Sequence, residues 1–182
     1  MFFHSLTTAL LGTTVAAAAA ITTTTTSTLN PSTLNVTVIA AHNNKSTLEC
    51  WALEPGFESS NTPGTTGNPV LSLGAPSANI SYMAIPPRTD GGLHNAPTIQ
   101  WVSFVSGKAH VTLPHSDDEA WVTGGEFGTI LAIDTEDVSA DGHFTEYPSD
   151  EVTVALAMPV KEVPGHRVLH AGACTRREQK FL

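Results

Sequence analysis

LHNAPTIQWVSFVSGKAHVTLP, residues 93–114, is the stretch on which the reading of the chain turns. Two apolar, β-branched runs, 99–106 and 108–113, flank the turn residues Ser106 and Gly107, as two short strands would. Side chains alternate along a strand, so Gln100, Val102 and Phe104 share one face while Trp101, Ser103 and Val105 share the other. A glutamine on the same face as Val102 and Phe104 is either a capped core position or part of a site. His94 stands six positions before Gln100, and Gly107 seven positions after it.

The same short-strand pattern extends on both sides. Strands are expected at 36–41, 47–53, 70–73, 79–85, 129–133, 143–147 and 151–158, separated by turn residues such as Gly124-Gly125 and Pro148-Ser149. Residues 54–69 are dense in Pro, Gly, Ser and Asn and read as loop. The 117–119 Asp-Asp-Glu run, between His115 and Ala120, reads as a solvated hairpin turn. Helix-period segments are almost absent, and strands at this spacing indicate an all-β sandwich or barrel. The structure of 162–182, a polar tail with half of the eight Lys and Arg, is left open.

Composition limits the functional classes. The 182 residues suffice for one domain with a real core, and 41% hydrophobic against 14% charged residues describes a globular body. The net charge of −9, with no Lys/Arg run, argues against nucleic acid and against anionic membrane surfaces as partners. Residues 1–20 combine an apolar stretch with small residues and read as a cleaved secretory signal, although a basic start is lacking. A membrane anchor is the alternative, but the stretch is short and broken by Thr and Gly. A Thr/Ser-rich spacer, 21–35, follows.

Export would also fit the sequons at Asn35, Asn44 and Asn79 and the use of only two cysteines, Cys50 and Cys174. In an oxidising compartment such a lone pair is expected to bridge, closing a long loop at about 4–5 kcal/mol. Two separate buried thiols are the alternative.

The stretch 93–114, followed by GGEFGTILAIDTEDVSADGHFTEYPSDEVTVALAMPV (124–160), resembles a single-domain cupin, the RmlC-like jelly roll. That family's first motif places His-x-His, then Glu, then Gly at the spacing found here for His94, Ala96, Gln100 and Gly107. The second histidine is therefore Ala96, and the glutamate is Gln100. The family's later glycine-rich turn with a ligand histidine is similar to Asp134-Thr135 followed by Gly142-His143-x-Thr145. The chain is also similar to small secreted proteins of filamentous fungi that share the CW-x-L start and the HNAP-x-x-QW run. The resemblance implies a single-domain cupin-type jelly-roll barrel over 36–161 that can form a homodimer through its sheets.

In the family's full pattern three imidazoles and a carboxylate hold Fe, Mn, Ni or Zn. Carried over residue by residue, His94, His143 and Gln100 would be the metal positions, with Ala96 unable to bind. Without its carboxylate the set supports at most a weak site, so no cofactor is the expectation and a weak-metal oxidoreductase the lesser reading. The metal-free alternative uses His94 and His143 as acid and base with Gln100 as orienter. Tyr82, Val102 and Phe104 would line a cavity for a small organic molecule. An isomerase- or cyclase-type enzyme of secondary metabolism is then expected, against a non-catalytic secreted binding or scaffold protein. The plainer readings stay open too: His94 in an exposed turn, His143 bonded to Asp134 or Asp141, and Gln100 satisfying a backbone group. His166 and His170 have helical metal-pair spacing, which Pro164-Gly165 argues against.

Overall fold

The structure, a computed structural model, describes Met1 and residues 33–180. Apart from Met1, the expected signal segment lies outside the described residues, as does the spacer up to residue 32. All regular structure among the described residues is β, as the strand pattern predicts. The strands are β1 (Asn35–His42), β2 (Lys45–Leu53), β3 (Glu58–Ser59), β4 (Pro69–Val70), β5 (Ser81–Ile85), β6 (Thr89–His94) and β7 (Gln100–Ser106). They continue as β8 (Lys108–Leu113), β9 (Ser116–Thr123), β10 (Thr129–Ala132), β11 (His143–Tyr147), β12 (Thr153–Pro159) and β13 (His166–Ala171).

Seven strands form a large sheet in the order β13-β2-β1-β10-β7-β12-β5, and four form a smaller one in the order β6-β11-β8-β9. Neither sheet closes into a barrel; β3 and β4 make a separate two-stranded ribbon. The β1–β10 pair is parallel and the other pairs are antiparallel. β1 and β2 are joined by Asn43 and Asn44, both at positive φ (50° and 63°), the backbone that a two-residue hairpin of native twist requires.

Ser106-Gly107 does not close a hairpin. β7 belongs to the large sheet and β8 to the small one, so Gly107 is the corner at which the chain crosses between layers. Its φ is +78°, and a Cβ there would lie 2.2 Å from Thr153 Oγ1, so glycine is demanded twice.

The layers meet in a core to which the large sheet contributes Ile39, Leu48, Phe104, Ile130 and Ala155, and the small sheet Ala109, Val111, Ala120 and Val122. The other face of the large sheet is also covered in its middle: Val38, Trp51, Trp101 and Leu131 pack under Leu34, Leu71, Leu73 and Val163. That double burial explains why β1 is buried at successive positions from Val36 to Ala40 rather than at alternate ones.

The structure departs from the expected strands, or adds to them, in several places. β4 spans only Pro69–Val70, because Leu71 and Leu73 leave the ribbon to cover Trp101, whose indole N–H donates to the Leu73 carbonyl (2.7 Å). The Asp-Asp-Glu run lies within β9 rather than in a turn; the turn is Pro114-His115, and the carboxylates face solvent while Ala120 and Val122 point inward. β6 is an additional edge strand. The tail contributes β13, which pairs with β2 and is fastened by a disulfide between Cys50 and Cys174.

Candidate functional site

β11 ends the 134–142 loop by pairing with β6, and the register sets His143 opposite His94. Facing residues of two strands project to the same side, so the two imidazoles meet: their ring centres are 4.5 Å apart, with planes inclined at 57°. Gly142 immediately before holds φ +63°, and a Cβ there would sit 2.6 Å from the His94 carbonyl oxygen. The close approach of the two strands therefore depends on that glycine.

Each ring has one nitrogen committed. His143 Nδ1 lies 2.7 Å from Asp134 Oδ2 and donates to that carboxylate. His94 Nδ1 lies 2.9 Å from the Gly92 carbonyl, which can only accept. Nε2 is thus the free nitrogen on both rings. The surroundings differ sharply, since His143 is 4% exposed while His94 is exposed at the sheet edge.

Behind His143 lies a buried polar network. Asp134, fully buried, also accepts from the Ser46 hydroxyl (2.6 Å) and from the Ala96 N–H (3.3 Å). The Ser46 and Ser139 hydroxyls are 2.8 Å apart. Asp141 accepts from the Ser46 N–H (2.7 Å) and the Ser139 hydroxyl (2.9 Å). Asn95 donates to the carbonyls of Asp134 and Ser139, both at 2.9 Å. Burial pushes the Asp141 carboxyl up, but these donors and His115 outweigh it and hold the group below its ordinary value of 3.8.

His94 also lines an open groove of about 900 Å³, bounded by residues 93–99 on one side and Thr135, Glu136 and Asp137 on the other. His143 and Gln100 are not among its lining residues. Gln100 is half-buried on the inner face of β7, opposite Ala132. Phe104 is in the core between the sheets, and Val102 packs against that core. Tyr82 is elsewhere: it is 70% exposed on edge strand β5, pairs with Leu156, and projects to the opposite side of the sheet from Met83, which meets the inter-sheet core. The structure therefore brings His94 and His143 together, leaves Gln100, Val102 and Phe104 on a neighbouring inner face, and separates Tyr82 from all of them. The residues that the sequence reading missed are Ser46 and Ser139. Asp134 was one of two partners foreseen for His143.

The donor set does not fit the divalent ion that the cupin resemblance implies. Ala96 is buried without a donor, Gln100 offers a neutral amide, and among the described residues no third His, Cys, Asp or Glu joins the two imidazoles at ligating distance. The only such trio among them is Cys50, His170 and Glu178, at the β2–β13 edge of the large sheet, and there Cys50 is tied up in the disulfide.

Asn44 of the sequons is exposed at the β1–β2 turn, and Asn79 is exposed ahead of β5. Asn35 is half-buried and donates through its amide to the Glu178 carbonyl (2.8 Å). No protein-family model matches the chain, and no curated protein matches it either.

Proposed function

We propose that the protein is a secreted cupin-type jelly roll that holds a small organic molecule in the groove at His94 and moves a proton on it. The two packed β layers, the crossing at Gly107 and the His94–Gln100–Gly107 spacing support the fold. The disulfide, a bond that persists in oxidising compartments, supports export. The observation that carries the chemistry is the apposed histidine pair with both Nδ1 atoms fixed and both Nε2 atoms free.

In this reading His94 Nε2 is the acid/base at the groove, suited to proton transfer next to a carbonyl, as isomerisation or cyclisation requires. His143 and Asp134 are positioning residues: the buried carboxylate fixes the His143 ring, which packs against His94. Gln100 reaches the reaction only if the ligand extends inward from the groove.

A panel of small carbonyl compounds incubated with the protein in deuterated water tests this by NMR. Solvent deuterium should enter the α-carbon of at least one compound, with the rate falling about 10²-fold or more in His94→Ala. Asp134→Asn should lower the rate less than His94→Ala does and shift the His143 ring resonances. Absence of exchange above buffer across the panel, or exchange unchanged in His94→Ala, would sink the catalytic reading.

One observation favours a non-catalytic binding protein instead. Asp134 ties together three chain segments through Ser46, Ala96 and His143, so the network has a structural use whether or not any reaction occurs.

A further inference from the structure

The disulfide corner of the large sheet carries more polar chemistry than a covalent staple needs. Cys50, fully buried on β2, pairs with His170 of β13. The ladder slips between Val168 and His170, which brings His170 rather than Leu169 opposite Cys50. Cys174 follows four residues later, and the chain turns through 175–178 so that Glu178 returns to His170.

Both polar side chains have one end anchored and the other end aimed at the sulfurs' neighbourhood. His170 Nδ1 donates to the Ala171 carbonyl (2.8 Å), which leaves Nε2 facing Glu178 Oε1 at 3.0 Å. The other carboxylate oxygen, Oε2, accepts from the N–H and the hydroxyl of Thr175, both at 2.7 Å. One ligand atom each from Cys50, His170 and Glu178 lie within 4.8 Å of one another, and Cys174 Sγ is bonded to the first of them.

We propose that reduction of the Cys50–Cys174 bond turns this corner into a four-ligand zinc site made of the Cys50 and Cys174 thiolates, His170 Nε2 and Glu178 Oε1. A dithiol reductant supplies two electrons and two protons, the S–S bond breaks, two thiols form, and the reductant leaves as its own disulfide. Zn²⁺ then displaces one proton from each thiol, gaining two Zn–S bonds, and a third proton from His170 Nε2, the one shared with Glu178; all three pass to solvent, and Nε2 and Glu178 Oε1 complete a tetrahedron. Donor atoms around a tetrahedral zinc stand roughly 3–4 Å apart, so the trio needs to contract by only about 1 Å while the two sulfurs move apart. The Ala171 carbonyl and Thr175 already orient the imidazole and the carboxylate, the outer support that metal ligands ordinarily have. The tail would then be held to β2 in either redox state, covalently when oxidised and through the ion when reduced.

Co²⁺ is the spectroscopic probe. The full chain is reduced anaerobically with a phosphine, which takes up the oxygen of water as it donates its electron pair and competes weakly for metal. It is then titrated with Co²⁺ and afterwards with Zn²⁺. One Co²⁺ per chain should bind with a thiolate-to-cobalt charge-transfer band and tetrahedral d–d bands, and Zn²⁺ should bleach both. The oxidised chain should show neither band. His170→Ala and Glu178→Gln, checked for native circular dichroism while still oxidised, should each weaken the site by about tenfold or more. Zn²⁺ should also raise the unfolding midpoint of the reduced wild type and not that of reduced His170→Ala. The assignment is overturned if the reduced chain gives no thiolate–cobalt band. It is equally overturned if the band and its affinity are the same in His170→Ala, the behaviour of two thiols on a chain that has lost this corner.

Discussion

At the scale of single residues, Asp141 is the carboxylate with a clear pH signature. Burial opposes its ionisation, yet the Ser46 N–H, the Ser139 hydroxyl and His115 at 3.6 Å together favour the charged form and depress its pKa in the fold. A depressed carboxylate contributes stability that is fully present above its unfolded value of 3.8 and is lost as pH falls through the lower folded value. Asp141→Asn should therefore be less stable than wild type above about pH 4, and the margin should close as pH falls below that. Urea midpoints measured at a series of pH values check this; a margin that grew as pH fell below about 4 would contradict it. The residue scale also shows where reading the sequence stopped. His94 and His143 entered one expected site through the cupin resemblance alone; that their rings meet at 4.5 Å is what the fold adds. Ser46 was not legible, since it lies 88 positions from the carboxylate it bonds, and no local pattern distinguishes a serine that caps a buried aspartate from one in a surface turn. Tyr82 was placed on the wrong side because SYMAI has apolar residues at both parities, so alternation cannot say which face meets the core.

At the scale of elements, the strands with strong β-branched alternation were readable and those at sheet edges were not. β6 is TDGGLH, whose central glycines lack β propensity, and only its pairing with β11 makes it a strand. β9 puts Asp117, Asp118 and Glu119 where an edge strand tolerates charge, which imitates a turn. β13 is HRVLHA, with neither alternation nor a strong apolar face, and it owes its place to what it covers. Its first residue, His166, stacks on the buried Trp51 with ring centres 3.5 Å apart and planes at 4°. An aromatic stack of this kind is worth about 1 kcal/mol. In His166→Ala, amide hydrogen exchange should speed up in β13 while the central strands β1 and β10 keep their protection, and Trp51 emission should shift to the red. Equal loss of protection in all three strands would mean that β13 does not open separately.

At the scale of the whole molecule, the first and last described strands, β1 and β13, lie in the same part of the large sheet. β1 and β2 stand beside β13, the disulfide spans 124 positions, and Asn35 donates to the carbonyl of Glu178. A chain ending at residue 161 would uncover the β2 edge and the face of Trp51 and would leave Cys50 without a partner. It should accumulate as aggregates or as an intermolecular disulfide rather than as a monomer. Size-exclusion chromatography with and without reductant checks this, and a stable monomer would show that the tail is dispensable. The all-β class was legible at this scale from strand spacing, whereas the assignment of each strand to one layer or the other was not. Nothing local in Ser106-Gly107 says that the chain changes sheets there instead of folding back on itself.

The burial of Ser46 has a consequence in time as well as in space. Ser46 supplies the hydroxyl of the Asn44-Lys45-Ser46 sequon, and in the fold that hydroxyl is held by Asp134 and is nearly inaccessible. Were the chain exported and glycosylated, an oligosaccharide could be transferred to Asn44 only while the hydroxyl is still free to engage the transferase, before the β1–β2 turn docks on the 134–141 loop. Occupancy at Asn44 would thus record a race between sugar transfer and folding. Asn79, whose sequon ends in the exposed Ser81, runs no such race.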